Sequence, residues 1–197
     1  MMGSRTLYEL LFISLALIIL TSCDPDTIPR QRGYFRIDLP EHSYLKYGGD
    51  CPYSFDCPVY ATVLKHQGKY SQPCWIDIRF PDFKAEINVS YLSVNDTGLG
   101  KCIADSRKFA YKHSLKADAI NEQVYVNPEL RVFGTCYRIK GNAASPLQFY
   151  LTDSLQHFFR GALYFYLKPN KDSLAPVVEF LESDVRRIIE SFEWKNN

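Results

Sequence analysis

From Cys74 to Tyr91 the side chains alternate with a period of two. Cys74, Ile76, Ile78 and Phe80 fall on one side of the chain and Trp75, Asp77 and Arg79 on the other; after Pro81-Asp82, Ala85, Ile87, Val89 and Tyr91 continue the series. Only an extended strand sorts successive residues to opposite faces in this way. With a Pro-Asp turn between them, the two runs predict an antiparallel hairpin with one buried face. Gly33–Pro40 alternates likewise, with Phe35, Ile37 and Leu39 opposite Tyr34, Arg36 and Asp38, and Val59–Leu64 predicts another strand. The segment 41–57, rich in Gly, Pro, Tyr and Asp, predicts a long loop.

The period then changes. Leu99, Cys102, Ile103, Ser106, Phe109, Ala110 and His113 recur at helical spacing, with Lys101, Asp105, Lys108 and Lys112 opposite them. Gly98-Leu99-Gly100, without a third glycine, predicts a turn ahead of this helix. Strands are expected around Gln123–Val126, Arg131–Ile139, Leu147–Leu151 and Ala162–Leu167. A second helix carries the stripe Leu174, Val177, Val178, Leu181, Val185, Ile188 and Phe192; Asp172 or Ser173 is its expected cap, and Pro176 belongs in its first turn. Each helix has one apolar face to bury against a sheet. The fold class is α+β: an antiparallel β-sheet covered by amphipathic helices, an α/β sandwich that resembles the Mog1/PsbP-like fold. That likeness concerns architecture and not function.

The 23 basic and 22 acidic residues leave a formal net charge of +1, which argues against a general nucleic-acid binder. With 46% hydrophobic residues the chain is no disordered tail. Tyrosine supplies 14 of the aromatics, and Tyr34, Tyr44, Tyr47, Tyr53 and Tyr60 are the expected protein-contact surface. Lys108, Lys112 and Lys116 form a row suited to a solvated face, or to an acidic partner or lipid headgroups.

The apolar run Leu10–Leu20 falls short of the roughly 20 residues a spanning helix needs. Arg5 before it and small polar residues after it make it the core of a signal peptide. Leu20-Thr21-Ser22-Cys23 then matches a lipobox, in which the cysteine receives the lipid. The expected organisation is a signal peptide over 1–22, lipidated Cys23 and a Pro-containing tether over 23–32, and one α+β domain over 33–197. Lipid attached to Cys23 anchors such a chain to a membrane without spanning it. The expected location is the cell envelope, facing the periplasm, with the outer membrane the favoured side.

Cys51, Cys57, Cys74, Cys102 and Cys136 remain, and in an oxidising compartment an odd number leaves at least one outside an internal pair. Cys51 and Cys57 are the nearest local pair; Cys74 and Cys136, in strand-like stretches, are expected as buried thiols. No zinc-type spacing occurs, so no metal or cofactor is expected. The chain lacks a G-x-S-x-G elbow, an H-E-x-x-H pair and a Walker A loop. Two polar clusters remain as candidates for interaction or structural support. One holds His113 and Asp118; the other runs through Asn142, Ser145, Asp153, His157 and Arg160. Ser145, Asp153 and His157 are the residue types of a hydrolase triad, which makes an envelope hydrolase or ligand-binding domain the alternative to a non-enzymatic role. Either triad or binding site requires convergence of these side chains.

GYFRIDLP (33–40), CPYSF (51–55), CWIDIRFP (74–81), YKHSLKADAI (111–120), GNAASPLQFYLTDSLQHFFRGALYF (141–165) and the closing ESFEW (190–194) together resemble the gliding motility lipoprotein GldD family of Bacteroidetes. The resemblance runs in order through nearly the whole chain after Cys23. It implies an accessory factor of the gliding apparatus, coupled to type IX protein secretion, that supports other lipoproteins of that machinery. It brings no catalytic residues and no nucleic-acid partner.

Overall fold

The computed structural model describes residues 8–9, 37–94, 96–112, 117–167 and 170–195. The chain divides into two compact units, Met1–Arg36 and Ile37–Asn197. Of the first, Tyr8 and Glu9 are described and are helical. The rest of the expected signal peptide, Cys23, the expected tether, Gly33–Arg36, His113 and Lys116 lie outside the described residues. Among the described residues no helix is long and apolar enough to cross a membrane.

The second unit is built on two antiparallel sheets. The larger has seven strands in the order β3-β4-β5-β9-β8-β7-β6, and the smaller has three in the order β1-β2-β10. Their ranges are β1 Tyr44–Tyr47, β2 Tyr53–Pro58, β3 Thr62–Lys65, β4 Ile76–Phe80, β5 Ala85–Ser93, β6 Ala117–Asn127, β7 Val132–Gly141, β8 Leu147–Thr152, β9 His157–Phe165 and β10 Glu193–Trp194. Helix α1 is Asp96–Tyr111 and helix α2 is Lys171–Glu190. The fold is α+β with antiparallel sheets and two helices, as the alternating and helical periods require.

The hairpin expected from Cys74–Tyr91 is β4–β5, with Ile78 opposite Ile87 and Ile76 opposite Val89. A 3-10 turn, Pro81–Phe83, joins the strands, and its Phe83 ring is buried. The inward set Ile76, Ile78, Phe80, Ala85, Ile87 and Val89 is almost fully buried. Phe159 of β9 stands at the centre of the core, 4.9 Å from both Tyr53 and Phe192. Val177, Leu181, Val185 and Ile188 of α2 close over the same core, joined by Phe180 and Ile189. Gly161, opposite Phe149 across β8–β9, has no room for a side chain: a Cβ there would sit 2.5 Å from the Phe149 ring.

Several expectations are corrected. Residues 37–40 are irregular and exposed, so the alternation of Gly33–Pro40 is not a strand over that part. The expected loop over 41–57 contains β1 and most of β2, because Tyr53, Phe55 and Cys57 alternate inward beneath α2. Tyr53 is core, not surface, and its hydroxyl donates to the Cys74 carbonyl at 2.7 Å. Helix α1 starts at Asp96, so Gly98 and Gly100 lie within it. Asn170 caps α2: its side chain accepts from the backbone N–H of Asp172 and Ser173 at 3.1 and 3.2 Å. Pro176 therefore sits in the second turn, where its missing N–H removes the bond to the Asp172 carbonyl.

The disulfide joins Cys51 to Cys74, not to Cys57, with Cα atoms 5.5 Å apart. Cys51 and Cys57 lie at opposite ends of the strand-forming stretch, whereas Cys74 turns back through a left-handed conformation (φ 65°) to meet Cys51. Cys57 is a buried free thiol, and Cys102 and Cys136 are free and partly buried. The bridge spans 23 residues, and closing such a loop stabilises the fold by about 3 kcal/mol. Cys51→Ser and Cys74→Ser should each lower the unfolding free energy by about that amount, with the double variant losing little more. Urea unfolding with and without reductant checks this: reductant should destabilise the natural chain and leave the variants unchanged.

Candidate functional site

Among the described residues the most enclosed carboxylate is that of Asp184, fully buried on α2. Helical spacing puts it on the same face as Val177, Leu181 and Ile188, where a lone carboxylate would be costly. Three side chains answer it. His42 Nδ1 lies 2.8 Å and the Tyr44 hydroxyl 2.9 Å from Oδ1, and the Tyr60 hydroxyl donates to Oδ2 at 2.7 Å. Burial, and then the hydrogen bond to Asp184, holds the Tyr44 and Tyr60 phenols well above their ordinary pKa, so both remain donors. Burial, reinforced by the nearby Asp184 charge, pushes the Cys57 thiol up to about 12, which makes it a poor nucleophile. The His42 ring stacks on Phe180 at 4.3 Å, and the Arg187 guanidinium lies over Tyr44 while pairing with Asp56. This network ties the segment leading into β1, and the turn after β2, onto α2. The sequence signal for it was thin: an acid on the apolar stripe of a helix.

The second site is a shallow groove of about 550 Å³ lined by Pro52, Arg131, Asp153, His157, Trp194 and Lys195, among others. Asp153 builds one wall. Its Oδ1 accepts from the backbone N–H of Leu155, Gln156 and His157 at 3.0, 2.9 and 2.9 Å. Burial raises the Asp153 pKa, but these bonds outweigh it and hold the carboxyl below the usual value. The His157 ring stacks on the Trp194 indole at 5.1 Å, and its Nδ1 is hydrogen-bonded to the Tyr91 hydroxyl at 2.7 Å. Lys195 Nζ is held by the Gly48 carbonyl at 2.9 Å and by that of Gly49. The groove offers aromatic surface and charges of both signs, and among the described residues no serine, threonine or cysteine lines it.

The other candidates lie elsewhere. Ser145 is fully buried and donates to the Leu147 carbonyl at 3.3 Å. It precedes β8, whereas Asp153 follows it, and the six-residue strand between them spans roughly 20 Å. The triad geometry is therefore absent. Asn142 and Asp118 meet at the start of α2: Asn142 Oδ1 accepts from the Lys171 backbone N–H at 2.9 Å, and Asp118 pairs with Lys171 Nζ at 2.7 Å. Arg160 reaches Gln148 Oε1 at 2.8 Å and lies under the Phe109 ring at 5.0 Å. Burial lowers its pKa. Beneath α1, Ser106 Oγ and Gln148 Nε2 are buried without a hydrogen-bond partner among the described residues. Among the described residues no group of three or more His, Cys, Asp or Glu side chains is arranged to hold a metal ion.

The family model for the gliding motility lipoprotein GldD matches residues 24–194. The chain belongs to the GldD family. The matched range takes in β1 to β10, α1 and α2, so the GldD assignment covers the elements that build both sites. It makes this chain a gliding motility lipoprotein by family. No curated protein gives a significant match. Among solved structures, the solution structure of cyanobacterial PsbP (CyanoP) from Synechocystis sp. PCC 6803 is similar over 81% of this chain and 97% of its own, at 12% identity and a TM-score of 0.45.

Two predictions follow from these bonds. Asp184→Ala strands three donors and should destabilise the fold by about 3 kcal/mol, whereas Tyr60→Phe removes one bond to a charged acceptor and should cost about 1.5 kcal/mol, both read from urea unfolding. Because folding depresses the Asp153 pKa, its contribution is present above the unfolded value, near 3.9, and is lost as pH falls through the folded value. The stability difference between the natural chain and Asp153→Ala should therefore shrink below about pH 4, measured by thermal unfolding across pH 2–6.

Proposed function

We propose that this chain is a lipid-anchored, non-enzymatic accessory and assembly factor of the gliding motility machinery and of the type IX secretion linked to it. Residues 1–22 are removed, Cys23 carries the lipid, 23–32 form the tether, and 33–197 form one domain facing the periplasm, with the outer membrane as the favoured anchor. Family membership and the Leu20-Thr21-Ser22-Cys23 motif support the anchor.

The observation that carries the non-enzymatic reading is how the reactive side chains are used. Asp184 is met at both oxygens by His42 and two phenols, Asp153 Oδ1 is held by three backbone N–H groups, and His157 is engaged by Tyr91 and Trp194. Ser145 is buried at the opposite end of β8 from Asp153. Polar groups spent on holding loops leave the surface, and not a reaction centre, as the working part. The role follows: the domain stabilises neighbouring lipoproteins of the machinery by contact, and the lipid supplies the membrane affinity.

The test is a pair of chromosomal variants. Cys23→Ala should release the protein from the membrane fraction and abolish gliding and type IX export, while Ser145→Ala should preserve both. Full function of the unanchored Cys23→Ala variant overturns the anchored reading. Loss of function in a stably accumulated Ser145→Ala variant overturns the non-enzymatic one.

A further inference from the structure

The seven-stranded sheet ends in two unlike edges. One is β3, four residues long and closed by Lys65, a short and charged strand of the kind that resists edge pairing. The other is β6, eleven residues long and paired only with β7. Its opposite backbone edge has no hydrogen-bond partner among the described residues. The irregularity in its register is confined to Ala117–Ala119. Its two acids are occupied elsewhere, Asp118 by Lys171, and Glu122 by Arg107 at 3.6 Å and the Tyr111 hydroxyl at 2.6 Å. From Gln123 to Asn127 there is no charge and no proline. There Val124 and Val126 stand 68% and 65% exposed. They lie on the same face of the strand as Glu122, which Arg107 and Tyr111 reach from the end of α1.

We infer that β6 is a self-association edge, on which β6 of a second copy of this chain pairs antiparallel and in register about Val124. A row of unpaired N–H and C=O groups is satisfied by an extended strand, which sets the chemistry of the occupant. The sequence selects a second copy. Pairing about Val124 sets Val124 against its equivalent, Gln123 against Tyr125, Glu122 against Val126 and Asn121 against Asn127. No like charges oppose each other in this register. The two-fold relation brings Val124 and Val126 of both copies into one apolar cluster on the side of α1, between the two α1 helices. The end of each α1, which reaches Glu122 of its own strand, then stands beside Val126 of the other copy. The two sheets then continue as one of fourteen strands, and the short β3 edges become the outer rims. A seven-residue ladder buries less than the roughly 1,200 Å² of a stable interface, so the pairing is weak and concentration-dependent. It does not depend on the anchored reading above.

The test uses the purified full chain in detergent micelles. In the proposed register the two Val124 Cα atoms are about 4.5–5.5 Å apart, within the range a disulfide spans. Under mild oxidation Val124→Cys should give a band of doubled mass in at least tenfold excess over the natural chain, whose own free thiols set the background. Thr62→Cys, on the β3 edge, should stay at background. Adding Val126→Lys to Val124→Cys should cut the yield at least fivefold while leaving the thermal midpoint unchanged, since both valines are exposed. Background-level crosslinking of Val124→Cys overturns the proposal, as does an equal yield from Thr62→Cys. So does a Val124→Cys product in cells that contains a different envelope protein and no homodimer.

Discussion

The fold depends on one aromatic junction. Phe159 comes from the middle of the large sheet, Tyr53 and Phe55 from the small one, and Phe192 from the residues just beyond α2; their rings meet at 4.9 to 6.5 Å. The three-stranded sheet has too few residues to hold itself, with β1 of four and β10 of two. Its stability is borrowed from rings buried against the larger sheet, which supply far more apolar area than its own ladder. Everything else at that end, including the His157–Trp194 stack and the groove beside it, is positioned by where those rings lie.

Around this junction polar groups are used as fasteners. Asp184, Asp153 and the Asn142–Asp118 pair each tie an irregular segment to a regular element. Such groups cost desolvation and repay it best when every oxygen is met, as the donors to both oxygens of Asp184 show. The face under α1 is the exception. Arg160 there has a neutral amide and a ring for company, and two neighbouring polar atoms have no bond. The apolar patch beneath α1 is small, built on Ala110, Tyr137, Ile139 and Ala143, and Phe109 is 46% exposed. Helix α1 is thus held more loosely than α2, in keeping with the lower local stability of elements that bury little.

Where period and burial coincide, the architecture was legible in the sequence. The β4–β5 hairpin and the α2 stripe follow from their side-chain spacing because each buries one clean face. Segment 41–57 misled because Gly, Pro and Asp outnumber its three inward residues, and a strand six residues long needs only those three. The disulfide was not legible at all: sequence distance favours Cys51–Cys57, and only the left-handed turn at Cys74 reveals the longer pairing. Of the site, Asp153 and His157 were found as neighbours. Ser145, Asn142 and Arg160 belonged to the same run of sequence, but an antiparallel strand carries its two ends apart. Asp184 was hidden because its partners sit more than 120 residues away, at distances no local pattern records.

The small sheet has a temporal consequence. Its middle strand, β2, lies between β1 and β10, so Ser54 waits for Glu193 and the Asp56 backbone waits for Ser191. Contacts of such separation form late, because the loop must close before they reward it. Residues 44–58 have no complete set of neighbours until residues 191–194 arrive. That opening stretch therefore remains an open thread until the far end of α2 is in place, and a chain lacking residues 191–194 would leave it unsealed.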